Sequence, residues 1–139
     1  MLKSRTITIS INRPVADVYA YLSDPSNMPN WTTALGERFE KVEGNVWHAA
    51  VPDDPRGPVT VRFSPRNDWG VLDYEVSRSG EEPLMVPLRV FANQEGCDLA
   101  FTFFQRPGVS DEHLDSEVEW VRTDLLTLKS LLEALGDRR

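Results

Sequence analysis

The fold is decided by the segment SDEHLDSEVEWVRTDLLTLKSLLEALG, residues 110–136. Ser110 can cap a helix here, Asp111 and Glu112 suit the positive end of the helix dipole, and Gly136 can supply a left-handed stop. Roughly 22 residues rising about 1.5 Å each give a rod of about 33 Å, which is long enough to cross a sheet. Alternating steps of four and three residues place the apolar side chains in one stripe along this helix: Leu114, Val118, Val121, Leu125, Leu128, Leu132 and Leu135.

The chain before this helix is dominated by strand patterns. Turn-forming residues such as Gly44, Asn45 and Gly80 separate the strand segments. Short turns between consecutive strands favour an antiparallel meander. Six segments between about residues 37 and 106 alternate or cluster apolar residues as strands do: FEKVE, NVWHAAVP, VTVRFSP, GVLDYEVS, MVPLRVFAN and CDLAFTFFQ.

The N-terminal part predicts one more strand and two short helices. Residues 5–12 read RTITISIN, an alternation of polar and apolar side chains that is typical of a half-buried strand. Pro14 fits the first turn of a helix that ends near Ser23. The next segment, DPSNMPNW at residues 24–31, has the prolines and capping residues of a second helix of one or two turns.

Taken in order, these elements predict an α+β fold. A curved seven-stranded antiparallel sheet carries two short helices after its first strand, and the long C-terminal helix lies across it over a cavity. The alternative is a coiled coil between the last helices of two chains. Only about three heptads are present and the apolar face of the sheet needs cover, so we expect the helix to pack on its own sheet. We expect residues 1–139 to form one domain.

Composition narrows the possible partners. The chain of 139 residues has a net charge of −7, which repels phosphate backbones, so we expect no nucleic acid partner. The single cysteine, Cys97, cannot form an internal disulfide or a thiolate metal site by itself. The N-terminus lacks an apolar stretch long enough for a signal peptide or membrane span. We therefore expect a soluble cytoplasmic protein.

Four stretches together resemble one family, the START-like helix-grip (SRPBCC) superfamily, in its polyketide cyclase/dehydrase-like branch. They are PVADVYAYL at residues 14–22, DPSNMPNW at 24–31, NDWGVLDY at 67–74 and DLLTLKSLLE at 124–133. The resemblance covers nearly the whole chain and implies a cavity between sheet and long helix. Members of this superfamily carry lipids, sterols or plant hormones, cyclise or dehydrate polyketides, or bind partner proteins, so the resemblance leaves the use of the cavity open.

Aromatic residues are the candidates for lining such a cavity. Trp31 follows the predicted second helix, which in the family helps to form the cavity rim. Tyr74 shares the apolar face of its strand with Leu72 and Val76, and Phe101 and Phe103 share a face with Leu99. We predict that the ligand contacts Trp31, Tyr74, Phe101 and Phe103. Trp47, Trp69 and Phe91 add to the aromatic supply, which is large enough either to line a cavity or to fill it.

Acid–base candidates are His48 and Tyr74, and neither has to be catalytic. His48 can point to either face of its strand, and only an inward histidine would serve as a general acid or base. Tyr74 can donate to a ligand or be a core tyrosine with a satisfied hydroxyl. His113, in the first turn of the last helix, has no histidine partner at metal-binding spacing, so we expect no metal site and no cofactor.

Three functions follow as hypotheses. The first is binding of a small hydrophobic or amphipathic molecule, lipid- or polyketide-like, by a monomer or homodimer. The second is a cyclase or dehydratase in which His48 or Tyr74 moves protons. The third is a protein interaction module that uses an exposed surface such as PDDPRGP at residues 52–58, although that loop also reads as a stiff connector.

Overall fold

The computed structural model describes residues 1–33, 38–50 and 57–136. Within these ranges the chain has the predicted α+β composition. The helices are α1 (Val15–Leu22), a short 3₁₀ helix (Pro25–Asn30) and the long α2 (Asp111–Gly136). The strands are β1 (Ser4–Ile11), β2 (Arg38–Glu43), β3 (Val46–Ala50), β4 (Val59–Phe63), β5 (Tyr74–Ser77), β6 (Leu84–Val86), β7 (Leu88–Asn93) and β8 (Gly96–Phe104).

Two antiparallel sheets, in the orders β1-β8-β7 and β2-β3-β4-β5-β6, act as halves of one curved layer. The stretch before β5 continues alongside β7, because the Leu72 N–H donates to the Leu88 carbonyl at 2.8 Å and the Val90 N–H donates to the Gly70 carbonyl at 3.0 Å. Gly70 has a φ of +70°, and a Cβ there would lie 2.0 Å from the Val90 carbonyl oxygen. Only glycine therefore fits where the two halves meet.

The described strands number eight where the sequence predicts seven. The difference lies in the segment MVPLRVFAN, which Pro87 divides into β6 and β7. Proline has no N–H and cannot donate to a neighbouring strand, so the ladder is interrupted there. The Pro87 carbonyl still accepts from the Thr102 N–H at 3.0 Å, which keeps the two short strands nearly collinear beside β8.

Helix α2 packs on the sheet of its own chain, as predicted. Leu125 and Leu128 are at most 1% exposed and share a core cluster with Leu99 of β8 and Ile11 of β1. Ser110 caps the helix by accepting from the His113 N–H at 3.1 Å. Two details differ from the prediction: Leu135 at the end of the stripe is 43% exposed, and Gly136 ends the described helix without a left-handed φ.

The C-terminal end of α2 is held against the junction of β1 and α1. Arg13 donates to the Leu132 carbonyl at 2.6 Å and to the Asp17 carboxylate at 3.1 Å. Glu133 accepts from the Asn12 N–H at 2.9 Å and pairs with Lys129. Arg13 therefore connects the last turns of α2 to the start of α1.

The short helices occupy the predicted places. Asp24 caps the 3₁₀ helix, where its carboxylate accepts from the Ser26 N–H at 3.1 Å. Pro25 and Pro29 lie within this helix, which suits a short 3₁₀ turn better than a regular α-helix. In the described part of the chain, no helix is both long and apolar enough to cross a membrane.

Candidate functional site

A small cavity lies beside the 3₁₀ helix, between α1 and the inner face of the sheet. Its volume is about 20 Å³, which is room for one water molecule and far below the several hundred Å³ of most small-molecule sites. Its polar lining comes from Trp31, Tyr74, Ser23 and Ser64. Its apolar lining consists of Leu22, Met28, Phe63, Leu72 and Leu88.

Trp31 lines this cavity and carries a hydrogen-bond donor that is not used. Its side chain is buried at 5% exposure, and its indole Nε1 has no hydrogen-bond partner among the described residues. Trp31 is held in place because its backbone N–H donates to the Met28 carbonyl at 3.1 Å. A buried N–H without an acceptor costs free energy, so it marks a position where an acceptor oxygen would be favourable.

The two serine hydroxyls of the lining already donate elsewhere. Ser23 Oγ donates to the Ala20 carbonyl at 3.2 Å, and Ser64 Oγ donates to the Asp73 carbonyl at 2.5 Å. Each hydroxyl carries a single proton, so neither is an unused donor. Trp31 and Tyr74 are left as the polar groups of this lining that can donate to a bound molecule.

Tyr74 faces inward from β5. Its ring centroid lies 5.9 Å from that of Phe63, which continues an aromatic row through Phe39 to Trp47, where Phe39 and Trp47 stack at 4.7 Å. Burial and, to a smaller degree, the negative charge of Asp124 raise the pKa of the Tyr74 phenol. The phenol is therefore protonated at neutral pH and can donate a hydrogen bond.

Asp124 is a residue of α2 that the sequence patterns did not single out. It is buried at 4% exposure. Its carboxylate accepts from the Thr33 N–H and from the hydroxyls of Thr32 and Thr33, each at 3.2 Å. The Trp120 indole also donates to the Thr33 hydroxyl. These bonds tie the residues after Trp31 to α2.

The position of Asp124 in the sequence of α2 already indicated that it faces the core. It lies three residues after Val121 and four before Leu128, which places it on the same helical face as the apolar stripe. A carboxylate at a stripe position is rarely buried without partners. The partners of this carboxylate are Thr32 and Thr33, which are far from Asp124 in sequence. They come close to it only when the chain folds.

The four predicted ligand contacts divide into two groups. Trp31 and Tyr74 meet at the cavity. Phe101 and Phe103 are buried at 6% and 8% exposure in the main core, with ring centroids 4.8 Å apart. They do not line the 20 Å³ cavity, because β8 places them in the half of the sheet that α2 covers directly.

His48 does not join these residues. It pairs with Glu40 and Thr60 across the strands, on the face opposite the buried Ala49 and Val61. Its side chain is exposed, so it faces away from the interior and we leave it out of the site. Within the described ranges, no group of three or more His, Cys, Asp or Glu side chains is placed to hold a metal ion.

Two of the additional aromatics lie on the surface. Trp69 is 81% exposed and Phe91 is 51% exposed, and both line an open groove of about 690 Å³ beside α1. Trp69 sits in the turn before the Gly70 junction, and Phe91 points outward from β7 between the buried Val90 and the next turn. Most of segment 52–58, suggested as an interaction loop, lies outside the described residues.

Comparisons with solved structures show the same fold across nearly the whole chain. The protein XoxI from Bacillus cereus matches with a TM-score of 0.74 at 18% identity, covering 97% of this chain and 99% of its own. The Aha1 dimer from Colwellia psychrerythraea matches with a TM-score of 0.72 at 14% identity, covering 95% and 97%. Ara h 8.0201 matches with a TM-score of 0.72 at 14% identity, covering 96% and 99%. Identities this low establish the fold alone.

No curated protein matches the chain. The family comparison is more informative. The model described as polyketide cyclase/dehydrase and lipid transport matches residues 4–135, a span that begins with β1 and ends with the last turn of α2. Because this match covers nearly the whole chain, including every element that builds the cavity, the chain belongs to the polyketide cyclase/dehydrase and lipid transport family.

Proposed function

We propose that this protein binds a small hydrophobic or amphipathic molecule, lipid- or polyketide-like, in the space between the sheet, α1 and the 3₁₀ helix. The observation that carries the proposal is the cavity lined by Trp31, whose buried indole N–H has no partner among the described residues. Nearly all buried polar groups in native proteins are hydrogen-bonded, so an unpaired buried donor needs an explanation, and a bound acceptor is one. Membership of a family that includes lipid transport supports the same reading.

The cavity has to widen to admit such a molecule. Its volume of about 20 Å³ holds one or two ligand atoms. Met28, which lines it, belongs to a 3₁₀ helix of six residues, and its unbranched side chain can change rotamer at low cost. We expect the ligand to enter by displacing Met28 and the 3₁₀ helix while the sheet and α2 stay in place.

Native mass spectrometry of protein purified from its own host tests the proposal directly. We expect a retained small molecule, removable with organic solvent. Nile red, a neutral apolar dye, supplies a second readout because its emission shifts to the blue in an apolar site. Met28→Ala should bind the dye about five-fold tighter or more, since it removes the side chain that a ligand must displace.

Two controls locate the binding. Leu132→Ala deletes an equally buried side chain outside the cavity, and Trp69→Ala deletes the exposed aromatic of the surface groove. Neither should change Nile red affinity. The proposal is overturned if the native protein carries nothing and the dye stays dark with both the wild type and Met28→Ala, or if Trp69→Ala alone abolishes dye binding.

A second candidate function is a cyclase or dehydratase. It is favoured by the Tyr74 phenol, a protonated donor at the cavity that is subject to the negative charge of the buried Asp124 carboxylate, an acceptor. A donor and an acceptor at one site are the requirement for general acid–base chemistry. Of the two acid–base candidates in the sequence, this arrangement uses Tyr74 and omits His48.

Loss of water from a synthetic poly-β-ketone thioester, followed by mass spectrometry, tests this candidate. Asp124→Asn should slow turnover about 100-fold if the carboxylate is the base, and Tyr74→Phe should slow it as well. His48→Ala is the matched control, and it should have no effect. Absence of turnover by the wild-type protein would leave binding as the function.

The proposal includes a cytoplasmic protein that acts as a monomer or homodimer. A function as an interaction module stays a prediction from the sequence. Fractionation of host cells and size-exclusion chromatography with light scattering check the location and the oligomeric state.

A further inference from the structure

The polar groups at the cavity define the chemistry of the ligand that fits it. This step rests on the proposed binding function. Trp31 offers an N–H with no acceptor, while the hydroxyl protons of Ser23 and Ser64 are taken by backbone carbonyls. An indole N–H donates and cannot accept. The complementary ligand group is therefore an oxygen that accepts a hydrogen bond.

The charge around the cavity determines which kind of oxygen is accepted. None of its lining residues is a lysine, arginine or histidine. The charge that acts on Tyr74 is that of the Asp124 carboxylate, which is negative and buried. A carboxylate head group placed beside Trp31 would lose its hydration without gaining a counterion and would be repelled by Asp124. The oxygen of a neutral ketone, ester or alcohol avoids both penalties.

We propose that this cavity selects uncharged oxygen-bearing amphipaths, whose carbonyl or hydroxyl oxygen accepts from the Trp31 indole N–H, and discriminates against fatty carboxylates. The void of about 20 Å³ matches the oxygen and its carbon. The apolar tail lies where Met28 is displaced, against Leu22, Leu72 and Leu88. Tyr74, the second donor at the cavity, is placed to share the same oxygen or an adjacent hydroxyl.

Calorimetric titration with three probes of similar size tests this selectivity near neutral pH. The probes are methyl hexyl ketone, octanoate and butylbenzene, which carry a neutral acceptor, an anionic head group and no acceptor oxygen. We expect the ketone to bind the wild-type protein at least about ten-fold tighter than octanoate, since a buried unpaired charge costs more than one hydrogen bond. This comparison needs no variant.

Trp31→Phe removes the N–H and keeps an aromatic ring at the position. It should weaken ketone binding about ten-fold, the effect of one buried hydrogen bond, and leave butylbenzene affinity within about two-fold. Asp124→Asn removes the negative charge and keeps an oxygen that Thr32 and Thr33 can donate to. It should raise octanoate affinity several-fold, with circular dichroism confirming that each variant is folded.

The outcomes separate this inference from the binding function. Equal affinity for all three probes, with no effect of Trp31→Phe, would overturn the proposed selectivity but not the proposed binding function. This result is expected if a single buried water molecule accepts the hydrogen bond of the indole N–H. Tighter binding of octanoate than of the ketone also overturns it. If no probe binds the wild type or Met28→Ala, the proposed function itself falls.

Discussion

Asp124 is a buried carboxylate on a helix whose other acidic side chains are exposed or half-buried. Asp124→Ala would leave the Thr33 N–H and two threonine hydroxyls without their acceptor. We expect the free energy of unfolding to fall by about 2 kcal/mol or more, measured by urea denaturation. Glu119→Ala, which deletes an exposed carboxylate of the same helix, should change it by less than about 0.5 kcal/mol. Equal effects would show that the contacts of Asp124 add nothing to stability.

Glu133 makes the stability of the fold depend on pH in the acid range. The Asn12 N–H and, after it, the Lys129 side chain hold the pKa of this carboxyl below its ordinary value. A lowered folded-state pKa means that the charged form stabilises the fold above the unfolded-state pKa, and that this contribution is lost as pH falls through the folded-state pKa.

Glu133→Gln keeps an acceptor oxygen and removes the charge. We expect the variant to be less stable than the wild type by about 1 kcal/mol at neutral pH, and the difference to shrink as pH falls through the lowered folded-state pKa of Glu133. Thermal or urea unfolding from neutral into acid pH measures it. Glu119→Gln, at an exposed carboxylate of the same helix, serves as the control and should stay close to the wild type in stability. A gap between Glu133→Gln and wild type that persists unchanged into acid would refute the assignment.

At the scale of elements, α2 holds two leucines that are nearly adjacent in sequence and opposite in environment. Leu128 is fully buried and Leu126 is 50% exposed. Leu128→Ala should lower the free energy of unfolding by about 3 kcal/mol, since it leaves a cavity against the sheet. Leu126→Ala should change it by less than about 0.5 kcal/mol. Denaturation of the two variants side by side checks both numbers, and similar losses would mean that the helix face is assigned wrongly.

Periodicity determined the elements well because it reports which side of an element is buried. The stripe of α2 and the alternation in β1 and β8 predict the observed faces. It failed where the two faces of a strand have similar side chains, as in β3. One face carries Val46, His48 and Ala50 and the other carries Trp47, Ala49 and Val51, so the sequence does not show which face is buried. Only pairing with β4 places Ala49 inside and His48 outside.

For the molecule as a whole, α2 shares one core cluster with strands of both sheets within a single chain, and Ala49, Val59 and Val61 form a second, smaller cluster. We therefore expect the fold to be stable without a partner. The midpoint of thermal unfolding should stay constant across about a hundred-fold dilution, because a fold that needs a second copy loses stability by mass action. Scanning calorimetry or fluorescence over that range measures it. A midpoint that falls on dilution would point instead to a helix packed between two chains.

The sequence alone determined the order and type of the elements, the antiparallel sheet and the packing of the long helix, because hydrophobic spacing along the chain encodes which faces are buried. It also named Trp31 and Tyr74, which line the small cavity; contact of a ligand with them stays a prediction. Tertiary structure alone decided that Trp31 keeps an unused donor, that Asp124 is buried beside Thr33, and that Trp69 and Phe91 lie outside. These properties depend on contacts between residues far apart in sequence, which no local pattern records.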